Sequence, residues 1–285
     1  MVAPFLFSID LEDIRTLVEN GHRYADRVPA SVDRYLEFLA RRDMRCTFFT
    51  VGDVARRYPE LVGRIVGAGH EIGCHSSDHV TLDRHDRESF REDLQRNLDD
   101  LRAAGAEDVQ GFRAPMFSLT RETAWAYEVL AELGFRYSSS VLAARSPVYG
   151  WPGFSSRCTW REPGLWELPL SLVRLPLVTV PVAGGVYFRV LPFPLVRRLF
   201  RRGLSGSEPV VGYFHPYDVD DEQEWFLHPE PVNSRFYTWL MYRNRSGVFP
   251  RLERLLDEGA TIVPYAEYVT RELAPRERES RARGL

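Results

Sequence analysis

The segment Phe5-Leu6-Phe7-Ser8-Ile9-Asp10 is a short apolar run that ends in an acidic residue. A run of this length with a polar end predicts a buried strand whose carboxyl end carries polar side chains. Similar short apolar runs return along the chain, and stretches with helical spacing of apolar residues separate them. This repeated pattern is the basis of the fold prediction.

The predicted strands and helices alternate. Further strands are expected at 46–51, 71–74, 111–113, 135–139, 166–170, 210–214 and 260–264. Helices are expected at 30–43, 53–68, 86–104, 120–133 and 235–258, with Pro59 beginning the main part of the second. Alternation of this kind predicts parallel βαβ units. About seven units favour an α/β fold of the distorted (β/α) barrel type over an open sheet.

Polar residues follow the predicted strands where a barrel carries its catalytic groups, at the carboxyl ends. These residues come from segments that are distant in sequence: Asp10, Glu12, His75, His79, Arg113 and His215. Because the carboxyl ends of barrel strands converge, we expect these side chains to meet.

The chain is expected to form one domain over residues 1–275. Residues 145–165, rich in Gly, Pro, Ser and Trp, predict a long inserted loop, and 276–285 predict a disordered, charged tail. The first residues lack the basic and apolar regions of a signal peptide. The longest apolar region, 165–186, is interrupted by charges and prolines, which argues against a membrane span. Three cysteines without a disulfide framework favour a cytoplasmic location.

All 37 basic residues are arginine, and the chain contains no lysine. This absence excludes Schiff-base lysine chemistry and a P-loop nucleotide site. The formal net charge of −3 makes nucleic acid an unexpected partner.

The motif His75-Ser76-Ser77-Asp78-His79 places two imidazoles four residues apart after a strand. Such a pair can bind one divalent ion, although paired surface or capping histidines are the ordinary alternative. The acids Asp10 and Glu12 at another strand end add carboxylate ligands, or else cap a following helix. Two histidines and one carboxylate would leave positions open for water and substrate, as a catalytic metal site requires.

Two further motifs carry groups suited to acid–base chemistry. Arg113, in Gly-Phe-Arg-Ala-Pro-Met, can hold a carboxylate, but alone an arginine there is more often structural. His215, in Val-Gly-Tyr-Phe-His-Pro, ends a strand, where a lone histidine is more often a satisfied core residue.

Taken together, the acid pair, His-Ser-x-x-His, Arg-x-Pro and the late strand histidine resemble the polysaccharide deacetylase (NodB-homology, carbohydrate esterase family 4-like) superfamily. The segments 166–171 (Trp-Glu-Leu-Pro-Leu-Ser), 184–189 (Gly-Gly-Val-Tyr-Phe-Arg) and 214–220 (Phe-His-Pro-Tyr-Asp-Val-Asp) are similar to the branch found in bacterial exopolysaccharide and O-antigen loci. With these, the resemblance extends over nearly the whole chain.

The resemblance implies a role for each matching position. Asp10 corresponds to the general base and Arg113 to the arginine that orients it. Glu12, His75 and His79 correspond to the metal ligands. The family usually has adjacent aspartates, so Asp13 is an alternative to Glu12.

On the acid side of the reaction, the resemblance makes His215 the general acid and the backbone N–H of Met116 the oxyanion donor. The family often has an aspartate near 137–140 that tunes the acid histidine, whereas this chain has serines there. Glu167, Asp218 or Asp220 could replace it, or the tuning could be absent.

The implied activity is metal-dependent hydrolysis of an N-acyl group, acetyl or formyl, on an amino sugar in surface-polysaccharide biosynthesis. Zinc is favoured by the ligand types, and cobalt, nickel or iron also suit them. An allantoinase-like hydrolase of a cyclic amide and a non-catalytic sugar-binding protein are the alternatives.

The substrate is expected to be nucleotide-linked or lipid-linked and to meet the protein in the cytoplasm, or at the inner face of the membrane. Substrate contacts are expected from Arg189, Tyr217 and Glu167, with Arg189 facing a phosphate. Residues 186–204 mix apolar and arginine side chains, which fits peripheral membrane contact or, preferably, an amphipathic helix packed on the barrel.

Overall fold

The computed structural model describes residues 3–146, 148–174, 179–181, 183–229 and 234–276. Most of the strands are short and buried. In chain order they are β1 (Phe5–Leu6), β2 (Ser8–Leu11), β3 (Thr47–Thr50), β4 (Glu71–Cys74), β5 (Gly111–Phe112), β6 (Tyr137–Ser138), β7 (Thr159–Arg161), β8 (Leu165–Glu167), β9 (Leu172–Arg174), β10 (Thr179–Pro181) and β11 (Val210–Val211).

The central sheet is parallel in the order β2-β3-β4-β5-β6-β8, and β7 adds an antiparallel edge to β8. The registers place Asp10 beside Phe49 in β3, and Cys74 of β4 beside Phe112 of β5. On the other side of the chain's first segment, β1 pairs in parallel with β11, and Ile9 forms a bridge with Phe214. The first segment therefore lies between the early and the late strands.

The parallel strands curve into an almost complete ring. The remaining gap lies between β11 and the segment that follows β8. Two hydrogen bonds span it. The Ser171 N–H donates to the Val211 carbonyl, and the Val211 N–H donates to the Ser171 hydroxyl. The predicted α/β fold with a distorted barrel of about seven parallel strands is confirmed, with a seam in place of a full ladder at one position.

Helices cover the outside of the ring. They are α1 (Val28–Ala40), α2 (Gly52–Arg57), α3 (Pro59–Gly67), α4 (Arg87–Ala103), α5 (Ala126–Glu132), α6 (Gly185–Val190), α7 (Phe193–Leu204), α8 (Arg235–Tyr242), α9 (Val248–Asp257) and α10 (Tyr265–Tyr268). The structure of α4 follows directly from its sequence. Asp86 and Ser89 form a capping box at its start, Phe90 and Leu94 are buried, and Gly105 follows its end with a left-handed φ of 96°.

Two segments differ from the sequence-based expectation. The predicted loop 145–165 contains β7, which forms a hairpin with β8 because its backbone groups pair with those of 165–167. The helix predicted from residue 120 begins only at α5, because the Thr123 hydroxyl donates to the Ser118 carbonyl and accepts from the Thr120 N–H, which stabilises a turn instead.

Other elements are shorter or divided. Residues 260–264 pair with the sheet only through a bridge between Ile262 and Phe5, and the predicted strand 210–214 is regular only at β11. The helix predicted over 235–258 is divided into α8 and α9 by a turn around Asn244, which has a φ of 55°. Of the predicted tail, 276–285, only Arg276 is described, and it lies 3.7 Å from Glu208; 277–285 lie outside the described residues.

Helix α7 packs on the barrel as the amphipathic alternative predicts. Its apolar side chains Val196, Phe200 and Leu204 are buried, and Arg197 and Arg201 both form ion pairs with Glu258. The apolar face that membrane contact through 186–204 requires is therefore covered by protein. Within the described ranges, no helix is long and apolar enough to cross a bilayer.

Candidate active site

The turn after β4 carries the His-Ser-Ser-Asp-His motif in a strained conformation. Ser76 and His79 have left-handed φ values of 64° and 56°, which are uncommon for residues other than glycine. Two side chains of α4 hold the turn: Asn97 donates to the Ser76 carbonyl at 2.6 Å, and Asp93 accepts from the Ser77 N–H at 3.0 Å. Helix α4 thus fixes the direction of both imidazoles.

Glu12, His75 and His79 form a cluster in which one ligand atom from each lies within 4.8 Å of the others. The Glu12 carboxylate is 2.8 Å from His79 Nε2. The ring of His75 is fixed by a 2.8 Å hydrogen bond between its Nδ1 and the Arg113 carbonyl. With Nδ1 as the donor, Nε2 carries a lone pair, which is the form in which histidine binds a metal ion.

The charge states of the cluster suit a divalent cation. Burial alone would raise the pKa of Glu12, but the neighbouring imidazoles, His79 above all, hold it well below its usual range. Burial lowers the pKa of His75 to about 4, so its ring is neutral at pH 7. The alternative ligand Asp13 binds instead to the guanidinium groups of Arg15 and Arg57. Of the two acids, Glu12 is the one that the structure brings to the histidines.

Arg113 is fully buried and hydrogen-bonded through all three of its nitrogens. Its Nη1 donates to Asp10 and to the Ser8 hydroxyl, each at 2.6 Å. The other two nitrogens donate to the carbonyl and hydroxyl of Ser139 and to the Tyr265 hydroxyl. The ring of Phe49 lies 4.2 Å from the guanidinium carbon. These contacts fix the ion pair between Arg113 and Asp10.

His215 belongs to a buried chain of charges. Its Nδ1 is 3.0 Å from Asp218 Oδ2, and the other carboxylate oxygen of Asp218 is 2.9 Å from Arg189. Burial would lower the pKa of His215, but the hydrogen bond and charge of Asp218 outweigh burial and raise this pKa to about 8. Its Nε2 lies 3.8 Å from Glu12, so the ring faces the metal-ligand cluster. Of the acids suggested to replace the family aspartate, Asp218 is the one that contacts the histidine.

Two predicted substrate contacts are corrected by the structure. Arg189 is 1% exposed and donates to the carbonyls of Met241 and Arg243 besides pairing with Asp218, so it does not face a substrate phosphate. Glu167 is fully buried and accepts from the N–H groups of Ser140 and Val141. Both side chains support the site from behind. Arg189 pairs with Asp218, and Glu167 binds the backbone of Ser140 and Val141.

Met116 lies in a tight turn after Pro115. Met116 and Phe117 both have left-handed φ values, 54° and 55°. Sparsely populated backbone conformations of this kind gather at functional sites. Both residues line the cleft that also contains Asp10 and the histidines, as the oxyanion role predicted for the Met116 N–H requires.

The cleft has a volume of about 290 Å³ and brings most of the predicted site residues together. It is lined by Asp10, Glu12, His75, His79, Met116, His215 and Tyr217, among others. The ring of Tyr217 stacks on His215 with centroids 4.6 Å apart. Tyr213, His228 and Tyr237 also line the cleft and were missed from sequence, because a single aromatic residue carries no pattern that marks it as part of a site. Ser139 and Tyr265 were missed because their contacts with Arg113 form only in the folded chain.

Family models match two consecutive parts of the chain. Residues 16–138 match the family model described as polysaccharide deacetylase, and residues 139–262 match a domain of unknown function, DUF3473. The predicted resemblance to the polysaccharide deacetylase superfamily is confirmed over residues 16–138, which the family model matches.

Individual relatives are distant. A peptidoglycan-N-acetylglucosamine deacetylase of Bacillus cereus is 27% identical over 33% of this chain and 35% of its own length. A peptidoglycan deacetylase of Helicobacter pylori is 25% identical over 79% of this chain and 74% of its own. Among solved structures, a family 4 carbohydrate esterase from Streptomyces lividans in complex with acetate has a TM-score of 0.50 at 16% identity, covering 91% of each chain. The chain spans 35% to 47% of the length of three curated relatives.

Proposed function

We propose that this protein is a metal-dependent hydrolase that removes an N-acyl group, acetyl or formyl, from an amino sugar. The observation that carries the proposal is the meeting, in one cleft, of a metal-ligand cluster, a carboxylate paired with Arg113 and a histidine paired with Asp218. A cleft with these three components can supply each proton transfer that amide hydrolysis needs.

The residues of the cluster fit a divalent ion. Glu12, His75 and His79 would hold it, and zinc is favoured because two imidazoles and a carboxylate are common zinc ligands, although cobalt, nickel and iron also accept them. The chemistry that such an ion supplies is polarisation of the amide carbonyl and a lower pKa of water.

Asp10 is our candidate for the general base. Its carboxylate is 4% exposed and accepts a 2.6 Å hydrogen bond from Arg113, which orients one oxygen and leaves the other for the cleft. In this position Asp10 takes a proton from the water that attacks the acyl carbon. Arg113 stays inside the protein and acts by positioning the base.

His215 is our candidate for the group that protonates the amine that leaves. Asp218 accepts from its Nδ1 and supports the protonated ring, while Nε2 points toward the cluster. The N–H of Met116 would donate to the oxygen that becomes negative, and removing one such donor costs about 3 kcal/mol of transition-state stabilisation in comparable sites.

The finer details of the substrate also belong to the proposal. We infer an amino sugar linked to a nucleotide or a lipid, an intermediate of exopolysaccharide or O-antigen biosynthesis, met in the cytoplasm. The three cysteines form no disulfide, which is compatible with a reducing compartment. Tyr217 at the cleft wall is the predicted substrate contact that the proposal retains.

The test is an assay of released acetate and formate from nucleotide-linked and undecaprenyl-linked N-acyl amino sugars, with the zinc-loaded protein. We expect release by the wild type and a loss of about a hundredfold or more for Asp10→Asn and His215→Gln. Asp53→Asn, which changes a carboxylate on α2, is the matched control and should leave the rate unchanged. Absence of release by the wild type, or full activity of Asp10→Asn, would contradict the proposal.

A further inference from the structure

The large apolar side chains that are more than a third exposed lie in segments that line or adjoin one cleft. Across the described residues they are Phe236 (69%), Trp225 (54%), Trp239 (51%), Val148 (40%) and Leu227 (36%). Val148 itself lines the catalytic cleft. The other four exposed side chains lie close in sequence to His228, Tyr237 and Met241, which also line this cleft. We call these five side chains the aromatic rim.

Three arginine side chains lie beside the aromatic rim. Arg235 lies over the ring of Trp225 and Arg243 over the ring of Trp239, at 5.7 and 5.4 Å from the ring centroids. Arg145 lines the cleft close to Val148 in sequence. None of these three arginines forms an ion pair with another described residue.

Among the described residues, the acidic side chains near the rim contact groups other than these arginines. Asp221 pairs with Arg34 and Glu222 pairs with Arg27. Glu224 accepts a hydrogen bond from the Ala25 N–H. The three arginines beside the rim are therefore not paired with these acids, and their guanidinium groups can bind an anionic partner.

We propose that the aromatic rim docks on an anionic membrane surface, with the catalytic cleft opening toward the lipid headgroups. Trp and Phe side chains partition into the interface between headgroups and acyl chains, and flanking arginines bind the acidic headgroups. Helix α8 presents Phe236 and Trp239 together with Arg235 and Arg243, so it supplies both components of such a contact.

A glycan chain is the other partner that exposed aromatic residues suggest, and the observations favour it less. Sugars stack on open ring faces, whereas guanidinium groups lie over Trp225 and Trp239. Aliphatic side chains such as Leu227 and Val148 add nothing to stacking, but they do add to burial in a lipid interface.

The test is co-sedimentation of the full chain with vesicles of phosphatidylcholine alone and of phosphatidylcholine mixed with phosphatidylglycerol, without substrate. We expect binding to the mixed vesicles. Phe236→Ser with Trp239→Ser should weaken it on the order of tenfold or more. Arg235→Gln with Arg243→Gln should weaken it about 25-fold, since each charge near the surface contributes about fivefold.

The matched control is Arg198→Gln with Arg202→Gln on α7, which removes two exposed arginines outside the cleft and should leave binding unchanged. Absence of binding by the wild type, binding by the aromatic variant equal to that of the wild type, or an equal loss in the control would overturn the proposal. Binding of the wild type to insoluble glycan but not to vesicles would also overturn it, if the aromatic variant loses that glycan binding. Because no substrate is present, the result is independent of the proposed hydrolase activity.

Discussion

At the residue scale, the site depends on buried charges that other protein groups hold in place. Arg113 is the central example: it is fully buried, and its guanidinium donates to side chains or carbonyls of Ser8, Asp10, Ser139 and Tyr265. Only the planar, five-donor guanidinium can reach all of them at once. Its role is therefore geometric as well as electrostatic.

Replacing Arg113 with lysine tests this role. Lysine keeps the charge but offers three donors in a different geometry, so several buried acceptors lose their partner. We expect Arg113→Lys to lower the free energy of unfolding by about 2–3 kcal/mol, measured by urea denaturation. Arg136→Lys, an exposed arginine that contacts Gln110, is the control and should change stability by less than about 0.5 kcal/mol. Equal effects of the two variants would contradict this interpretation.

His70 gives a prediction about pH. Its Nδ1 accepts a hydrogen bond from the Cys46 N–H, and burial, aided by Arg45, lowers the pKa of His70 to about 4. The unfolded chain binds a proton at this residue below pH 6.5, whereas the folded protein does so only near pH 4. Stability supplied by the neutral ring is therefore complete above pH 6.5 and is lost as pH falls toward 4.

Over that range the contribution of His70 amounts to at most about 3 kcal/mol. We expect the wild type to lose stability between pH 7 and pH 5 more steeply than His70→Asn, in which an amide oxygen can accept the same hydrogen bond without titrating. The measurement is urea denaturation at several pH values. Parallel pH profiles for the two proteins would show that His70 is not the group responsible.

The sequence predicted which charged side chains meet in the cleft better than it predicted the residues that support them. Glu12, His75 and Asp10 follow strands, and a parallel sheet brings strand ends together whatever lies between them. Arg189 and Glu167 were predicted to touch substrate because their charges suggested it. Their burial depends on residues that only the folded chain brings near, and no local pattern records such partners.

At the element scale, the short strands allow side chains to pack very close to the backbone. An added Cβ at Gly111 in β5 would lie 2.0 Å from the ring of Tyr137, whose hydroxyl donates to Glu71 at 2.5 Å. Glycine is therefore required at position 111, because the Tyr137 ring on the neighbouring strand occupies the space that a side chain there would need.

Gly111→Ala should reduce the free energy of unfolding by about 2–3 kcal/mol, because the ring must move away from a buried acceptor. Gly67→Ala, at the end of α3, is the matched control: an added Cβ meets nothing within 4 Å, and alanine there should be neutral or stabilising by up to about 1 kcal/mol. Thermal or urea denaturation distinguishes the two, and an unperturbed Gly111→Ala would refute the steric argument.

Elements with strong local signals were predicted well, and those without were not. The apolar spacing and capping residues of α4 gave its bounds to within a residue. The hairpin of β7 and β8 was missed because 145–165 has a composition typical of loops. The late start of α5 was missed because Thr120 resembles a helix cap, while the turn stabilised by Thr123 competes with the helix.

At the scale of the whole molecule, a bound ion would join segments that are far apart in sequence. Glu12 follows β2, whereas His75 and His79 follow β4. A ligand that binds only the folded state raises stability by mass action. We expect added Zn²⁺ to raise the unfolding temperature of the wild type and a chelator to reverse the change.

The variant His79→Ala should lose the stabilisation by zinc. Asp13→Asn should retain it, whatever the variant's own stability, because Asp13 binds Arg15 and Arg57 instead. Differential scanning calorimetry with and without zinc measures both. A zinc response abolished by Asp13→Asn and kept by His79→Ala would reverse the assignment of ligands.

The position of the first segment between early and late strands has a consequence for the order of events during synthesis. The proposed metal ligands Glu12, His75 and His79 all precede residue 80, but β1 and β2 complete their pairing only when residues 210–214 arrive. Contacts between such distant segments form slowly. A nascent chain should therefore contain its proposed metal ligands long before the proposed base and acid face each other. In pulsed hydrogen exchange during refolding, the amides of β3 and β4 should be protected before those of β11.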